Sequence, residues 1–321
     1  MESKRPILSI CIPTYNRCTI LYEVLSNYSN NPEFDDSVEL VISDNASTDD
    51  TESMCKQFSE KHPNIKYHRN QENIRDENFP LALSLAQGEY LKLCNDWVYA
   101  TEESLKYIKD KIKEHLTDRI PVFFTSDSVF TKYKAEEIEC YGLDDYVKVV
   151  STYVTSNNLF GSWREQWANV TEKRKCSPLL LQQEDWTFQI VSQHNGCIIC
   201  DKKVFVRVKE TLGKRSGYNW FQVHLDNYYK IMQPYIEKGF ISSETLNEDK
   251  HNLLEHFKFE FCLALFYNYS SYWKFNTDGT WQLLCKYYKG EPYFAYFLFR
   301  LPFYYVSTII KSIGRKILKI L

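Results

Sequence analysis

The chain has 321 residues, 44% of them apolar and 25% charged, proportions of a globular protein with room for two domains or one large domain and an extension. Its net charge of -3 leaves no basic surplus for nucleic acid to read, which argues against that class of partner. Its ten cysteines are spread along the chain, not packed as in a small disulfide-stapled secreted domain, so reduced, mostly buried thiols are expected.

Ile7 to Ile12 is a short apolar run ended by Pro13 and reads as a buried strand. It is too short for the hydrophobic region of a secretory signal, and Met1 to Arg5 is polar, so a cytosolic catalytic part is expected. Thr19 to Tyr28 carries Ile20, Leu21, Val24, Leu25 and Tyr28 at helical spacing. Val38 to Ile42 is a second strand, stopped by the polar turn Ser43 to Asp49. Asp50 to Lys61 is a helix with N-cap candidates in Ser47 to Asp49. Ile65 to His68 is a third strand. Asn78 to Gln87 reads as a helix closed by Gly88 at the C′ position, and Glu89 to Cys94 as a fourth strand running into Asn95-Asp96. This alternation predicts an α/β fold, a mostly parallel sheet with helices on both faces. Past Pro121 the pattern loosens into short strands at Val122 to Phe124, Cys197 to Ile199 and Val204 to Val206. The Cys197-Ile-Ile-Cys200 spacing lacks a second pair and lies in an apolar run, which speaks against zinc. After about Thr211 the pattern turns helical and aromatic, which divides the chain into a catalytic domain over 1–210 and a helical extension over 211–321.

Open parallel sheets bind ligands outside the carboxyl ends of their strands. The unusual polar residues gather there: Thr14 to Arg17, Asp44 to Ser47, and Asn95-Asp96. In Pro13-Thr14-Tyr15-Asn16-Arg17 a ring stands ready to stack on a nucleobase and a guanidinium to meet phosphate, although a plain strand-to-helix turn fits as well. Asp44 ends a buried strand, where a carboxylate needs a donor; a base N–H or a ribose hydroxyl would serve. An Asx turn with a helix cap accounts for Ser47 and Asp49.

Together these segments resemble the start of family 2 glycosyltransferases, the group that includes bacterial O-antigen and capsule glycosyltransferases. There a strand followed by P-x-Y-N-R precedes a strand ending in D-[DN]-x-S-x-D-x-T. Here the residues are Pro13, Tyr15, Asn16 and Arg17, then Asp44, Asn45, Ser47, Asp49 and Thr51. The resemblance implies a Rossmann-like GT-A fold with Pro13, Tyr15, Arg17, Asp44 and Asn45 at the nucleotide. Asn70 to Asn78 looks like the family's N-x-x-N-x-G-x-x-x-N stretch, with Arg75 in the usual glycine position; Arg75 and Asp76 are further nucleotide candidates. Ala86 to Trp97 resembles the A-x-G-E-Y strand that leads to the D-x-D motif, whose carboxylates hold Mg²⁺ or Mn²⁺ against the diphosphate. Asp96 is the ligand candidate, but Trp97 and Val98 fill the places of further acids, and Arg17 and Arg75 are placed to replace the ion in part. Glu184-Asp185-Trp186 looks like the acidic base motif, with Asp185 the first candidate and Glu184 the second to take the acceptor's proton, its pKa raised by burial beside Trp186. Acids decorating a helix N-terminus account for the same pair. The implied reaction is a single in-line displacement that inverts the anomeric centre, from a nucleotide-diphosphate sugar to a glycan acceptor in surface polysaccharide synthesis.

Two other readings remain. A GT-A protein that binds but does not turn over fits the missing acids after Asp96. A sugar nucleotidyltransferase needs a glycine-rich loop that Ile12 to Thr19 lacks. In the extension, Gly217 to Phe221 and His224 to Tyr229 invite an acceptor-binding role, but core packing is the stronger expectation, with His224 structural. From Tyr293 onward, aromatic and apolar residues lead into Ile309, Ile310, Ile313, Ile317, Ile320 and Leu321 at helical spacing. Lys311, Arg315, Lys316 and Lys319 interleave, and no acid follows Glu291. Arg300 and Pro302 interrupt the run, so a basic amphipathic segment over about 293–321 is expected to lie on an anionic membrane surface, not to span it. This places the protein in the cytoplasm, peripheral on the inner face of a bacterial membrane, with a lipid-linked glycan as acceptor.

Overall fold

Every residue of the first two strands is buried, as strands covered on both faces must be. They are β1 (Leu8–Thr14) and, after helix α1 (Cys18–Ser29), β2 (Val38–Asp44). The computed structural model describes residues 5–126, 129–130, 133–151, 153, 159–208, 216–267 and 274–318. Then follow α2 (Thr51–Lys61), β3 (Ile65–Arg69), a 3₁₀ turn (Arg75–Glu77), α3 (Asn78–Leu85), β4 (Tyr90–Leu93), β5 (Val98–Tyr99), α4 (Glu102–Glu114) and β6 (Val122–Phe124). Beyond them come β7 (Glu137–Cys140), α5 (Gly142–Val150), β8 (Gly161–Trp163), α6 (Arg164–Asn169), α7 (Gln182–Gln193), β9 (Cys197–Cys200) and β10 (Val206–Arg207).

The main sheet has the order β3-β2-β1-β4-β8, parallel except for β8 against β4. The chain winds outward through β2 and β3 and then returns to place β4 on the other side of β1. The gap between the carboxyl ends of β1 and β4 is therefore the topological switch point, where open α/β sheets bind ligands. Side chains alternate between two cores. Leu8, Ile10, Ile12, Leu40 and Ile42 pack with Val24 of α1, Cys55 of α2 and Ile108 of α4. Cys11, Val41, Leu91 and Leu93 pack with Leu83 of α3, Trp167 of α6 and Trp186 of α7. The result is a mixed, mostly parallel sheet flanked by helices. A smaller sheet runs β6-β9-β7, and β5 pairs with β10.

Four local expectations change. The fourth strand pairs at Tyr90–Leu93, and the run expected at Val204 to Val206 pairs at Val206–Arg207, antiparallel to β5. The residue before α2 is Asp50, although Asp49 does accept from the Thr51 amide at 3.1 Å. Gly88 does not close α3, which ends at Leu85 with Ala86 extended. A Cβ on Gly88 would stand 2.5 Å from Ser9 Oγ and 2.8 Å from the Ser9 nitrogen, so the residue is glycine to let this turn lie against β1. Buried Glu39 anchors the turn by accepting from Ser9 Oγ and, at 2.6 Å, from the Gln87 amide.

The chain divides into two compact units, Met1–Val150 with Val154–Leu212, and Ser151–Tyr153 with Gly213–Leu321. The second unit holds a parallel strand pair, β11 (Ser216–Asn219) and β12 (Lys274–Asn276), with α8 (Tyr228–Glu237), α9 (Ser243–His256), α10 (Lys258–Tyr267), α11 (Thr280–Tyr288) and α12 (Pro292–Leu318). Its aromatic residues build a core: Trp220 and Phe221 pack against Phe257 and Phe261. His224 stacks on Trp220 at 4.1 Å between ring centroids, and burial pushes its pKa down to about 4. Helix α12 runs through Pro302 without interruption. It buries Phe294, Phe297 and Tyr304 and leaves Tyr296, Phe299, Phe303, Val306 and Ile310 between 52% and 73% exposed, a stripe at three- and four-residue spacing. Lys319, Ile320 and Leu321 lie outside the described residues.

Gly88→Ala should lower stability by about 2 kcal/mol, the scale of overpacking a tight backbone approach. Urea unfolding measures it, and an unchanged midpoint would mean that the turn yields instead.

Candidate active site

Three loops leave the carboxyl ends of β1, β2 and β3, and each carries a non-glycine residue in left-handed backbone: Asn16 (φ 51°), Ala46 (φ 60°) and Arg75 (φ 53°). Each such residue costs about 1–2 kcal/mol, so side-chain contacts must hold the loops in place. The first two loops clasp each other. The Asn16 amide donates to Ser47 Oγ at 2.9 Å, the Thr48 amide returns a bond to Asn16 Oδ1 at 2.7 Å, and the Cys18 amide donates to Asp49 at 3.1 Å. Asn45 fastens the third loop: its amide nitrogen donates to Asn73 Oδ1 (2.9 Å) and the Arg75 carbonyl (3.1 Å), and its oxygen accepts from Asn70 Nδ2 (3.1 Å) and the Ile74 amide (2.8 Å). Those four bonds use the whole capacity of a carboxamide. Asn45 was expected at the nucleotide; its side chain is spent instead on shaping the loop.

Asp44 is fully buried, and its donors are protein groups, not the nucleotide donors expected for it. The Ser47 amide and hydroxyl reach Oδ1, the first at 3.0 Å; Tyr67 donates to Oδ2 at 2.7 Å; and the Arg69 guanidinium stands 3.8 Å away. Burial, reinforced by the Asp44 charge, pushes the Tyr67 hydroxyl well above the usual phenol range, which keeps it a donor.

At the switch point Thr14 Oγ1 donates to Asp96 Oδ2 at 2.9 Å, and the Arg17 guanidinium carbon lies 5.8 Å from the centre of the Trp97 ring. Tyr15 presents a ring that is 43% exposed beside them. On the other side, Arg75 is exposed, and burial outweighs the nearby Arg75 charge to raise the Asp76 carboxyl. The Asp76 carbonyl accepts from Gln182 Nε2 at 2.7 Å, which joins this loop to the first turn of α7 and its acid pair. Glu184 is wholly enclosed, whereas Asp185 keeps 7% exposure and accepts from Gln189 at 2.8 Å. The structure thus links the loop after β1 to those after β2 and β4, the loop after β2 to that after β3, and the loop after β3 to the start of α7.

The donor set fits a resident divalent ion poorly. Asp96 is one carboxylate with one oxygen committed to Thr14, Trp97 offers no acceptor, and Val98 is apolar. Among the described residues no three His, Cys, Asp or Glu side chains cluster as a metal centre. Sequence reasoning passed over Tyr67 and Arg69, which alternate on β3 and so share a face, and over Gln182.

Residues 9–201 match the family described as Glycosyl transferase family 2. Abequosyltransferase RfbV of Salmonella typhimurium is 40% identical over 101 residues, 31% of this chain and 29% of that protein. GalNAc(5)-diNAcBac-PP-undecaprenol beta-1,3-glucosyltransferase of Campylobacter jejuni is 32% identical over 93 residues, 28% of this chain and 29% of that protein. The matches thus span under a third of either relative. Among solved structures, mannosyltransferase PcManGT from Pyrobaculum calidifontis, in complex with GDP-Man and Mn²⁺, superposes with a TM-score of 0.54 at 17% identity, over 98% of this chain and 89% of that one.

Arg75 sits in left-handed backbone at a position the resemblance gives to glycine. Arg75→Gly should therefore raise thermal stability, by about 1 kcal/mol, while weakening nucleotide binding through the lost charge. A lowered melting temperature would show that side-chain contacts outweigh the strain.

Proposed function

The chain belongs to glycosyl transferase family 2, and on that premise we propose that it is an inverting glycosyltransferase acting on a nucleotide-diphosphate sugar and a glycan acceptor. The observation that carries this reading is the linkage of every motif segment around the carboxyl ends of β1 to β4, with the acids of α7 tied to the same cluster.

In this reading Tyr15 and Pro13 form the wall against which the base rests. Arg17, Arg75 and Asp76 lie along the diphosphate and ribose, while Asp44 and Asn45 hold the loops that present them. Asp185 is the base: it keeps access to solvent and is oriented by Gln189, whereas Glu184 is enclosed. It would accept the proton of the acceptor hydroxyl as that oxygen attacks the anomeric carbon opposite the diphosphate. Asp96 alone does not build a cation site, so a Mg²⁺ or Mn²⁺ ion there would lean on oxygens of the donor and water, and no step is assigned to it.

The acceptor in this reading is lipid-linked, as the undecaprenol in the Campylobacter relative's name also suggests, and its product is a bacterial surface polysaccharide. The exposed apolar stripe of α12, in a stretch whose sequence carries bases and no acids after Glu291, suits the inner face of an anionic bacterial membrane. Among the described residues no helix is long and apolar enough to cross a membrane. The absence of acids at Trp97 and Val98 favours a second reading, a GT-A protein that binds a sugar nucleotide without turnover.

Thermal shift with a panel of nucleoside diphosphates tests the site: stabilisation selective for one base is expected, and none in a folded protein would remove the transferase reading. Asp185→Asn should keep that binding and lose about 10²-fold or more in turnover with the sugar nucleotide so identified. Undiminished turnover would clear Asp185, and turnover absent from the wild type would favour the binding protein. Phe299→Asp with Phe303→Asp should abolish co-sedimentation with anionic vesicles; equal sedimentation would refute the membrane face.

A further inference from the structure

Trp97 follows Asp96 at the carboxyl end of β4, and its ring carries the Arg17 guanidinium at 5.8 Å, within cation–π range. Thr14, the last residue of β1 and three before Arg17, is bonded to Asp96. Two neighbouring contacts thus span the switch point between β1 and β4, and they set Arg17 over Trp97, the residue after Asp96. Arg69, Arg119 and Arg174 are each paired with a carboxylate, whereas among the described residues none forms an ion pair with Arg17.

The identity of residue 97 decides what Arg17 has to offer. An acid there would pair with the guanidinium and cancel its charge. An indole holds the guanidinium by its ring quadrupole and leaves both the charge and the N–H donors available. The indole also leaves Asp96 with no second acid beside it in the sequence Asn95-Asp96-Trp97-Val98.

We propose that Arg17, positioned by Trp97, neutralises the leaving diphosphate in this protein, and that nucleotide-diphosphate binding therefore does not require a divalent ion. The inference rests on the transferase reading. As the acceptor oxygen bonds to the anomeric carbon, the bond from that carbon to the diphosphate oxygen breaks. Its electron pair stays on the diphosphate, which gains one negative charge, and the acceptor's proton passes to Asp185. The Arg17 guanidinium meets that added charge with N–H donors to phosphate oxygens. Trp97 is a positioning residue: it touches Arg17, not the reacting atoms.

Calorimetric titration of the full chain with UDP, GDP, CDP and TDP and the matching monophosphates, each in EDTA and in Mn²⁺, tests the inference. In EDTA the preferred base should bind about tenfold more tightly as diphosphate than as monophosphate, and Mn²⁺ should change this by less than about threefold. Arg17→Ala should erase the diphosphate preference with monophosphate affinity unchanged, which also certifies the fold, and Arg17→Lys should restore part of it. Trp97→Ala should reduce the preference and Trp97→Phe recover it. A preference that appears only with Mn²⁺, or that survives Arg17→Ala, overturns the inference while leaving the transferase reading intact. If no nucleotide of either kind binds the folded wild type, the transferase reading itself falls, and the inference falls with it.

Discussion

One carboxamide organises the floor of the candidate site. Asn45 follows the last residue of β2, where the pleat turns its side chain away from that of Asp44, and its four hydrogen bonds gather residues 70 to 75 against the sheet. The loop so held carries Arg75 in left-handed backbone and hands the Asp76 carbonyl to Gln182 of α7. Asn78 extends the same net by bonding Ser43 and Asn70, both buried. The net holds Arg75 in left-handed backbone, which persists only where its surroundings over-determine it.

Much of this was legible in the sequence, for a physical reason. A strand buried on both faces must be apolar throughout, so β1 and β2 announce themselves, and the polar residues that end them stand out. The segments at Pro13 to Arg17 and Asp44 to Thr51 are short and continuous, so their chemistry can be read locally. Partners supplied from elsewhere in the chain cannot. Tyr67 and Arg69 lie on β3, whose half-exposed pattern carries no such signal, and Gln182 meets Asp76 across more than a hundred residues. For the same reason Asp44 seemed to need a nucleotide donor when Ser47 and Tyr67 already supplied one. Gly88 misled differently: a glycine soon after a helix looks like a cap, and only the closeness of Ser9 reveals its actual constraint.

The division of labour between Asp44 and Asp96 follows from where their strands end. Asp44 sits beside β3, which supplies a tyrosine and an arginine, so its charge is met inside the protein and it acts as a brace. Asp96 sits at the switch point, where Thr14 of β1 donates to it across the gap.

Burial and a displaced pKa alone would have pointed to the wrong unit. Asp249 is buried, and desolvation pushes its carboxyl up to about 6, a value often sought in a general base. Yet Ser151 donates to it at 2.6 Å and Tyr229 lies 3.5 Å away, within a packed aromatic core. Asp226 is its mirror image: desolvation works against its charge, but Lys230, Lys286, Tyr287 and Gln222 outweigh it and hold the carboxyl below its ordinary range. Each is held by neighbours of its own unit. Asp185 differs in other respects: it stands in the first turn of α7, accepts from Gln189, keeps slight exposure, and shares that turn with Gln182, which is bonded to the loop after β3. What separates the candidate base Asp185 from these two structural acids is its tie to the loop after β3, not the size of a titration shift.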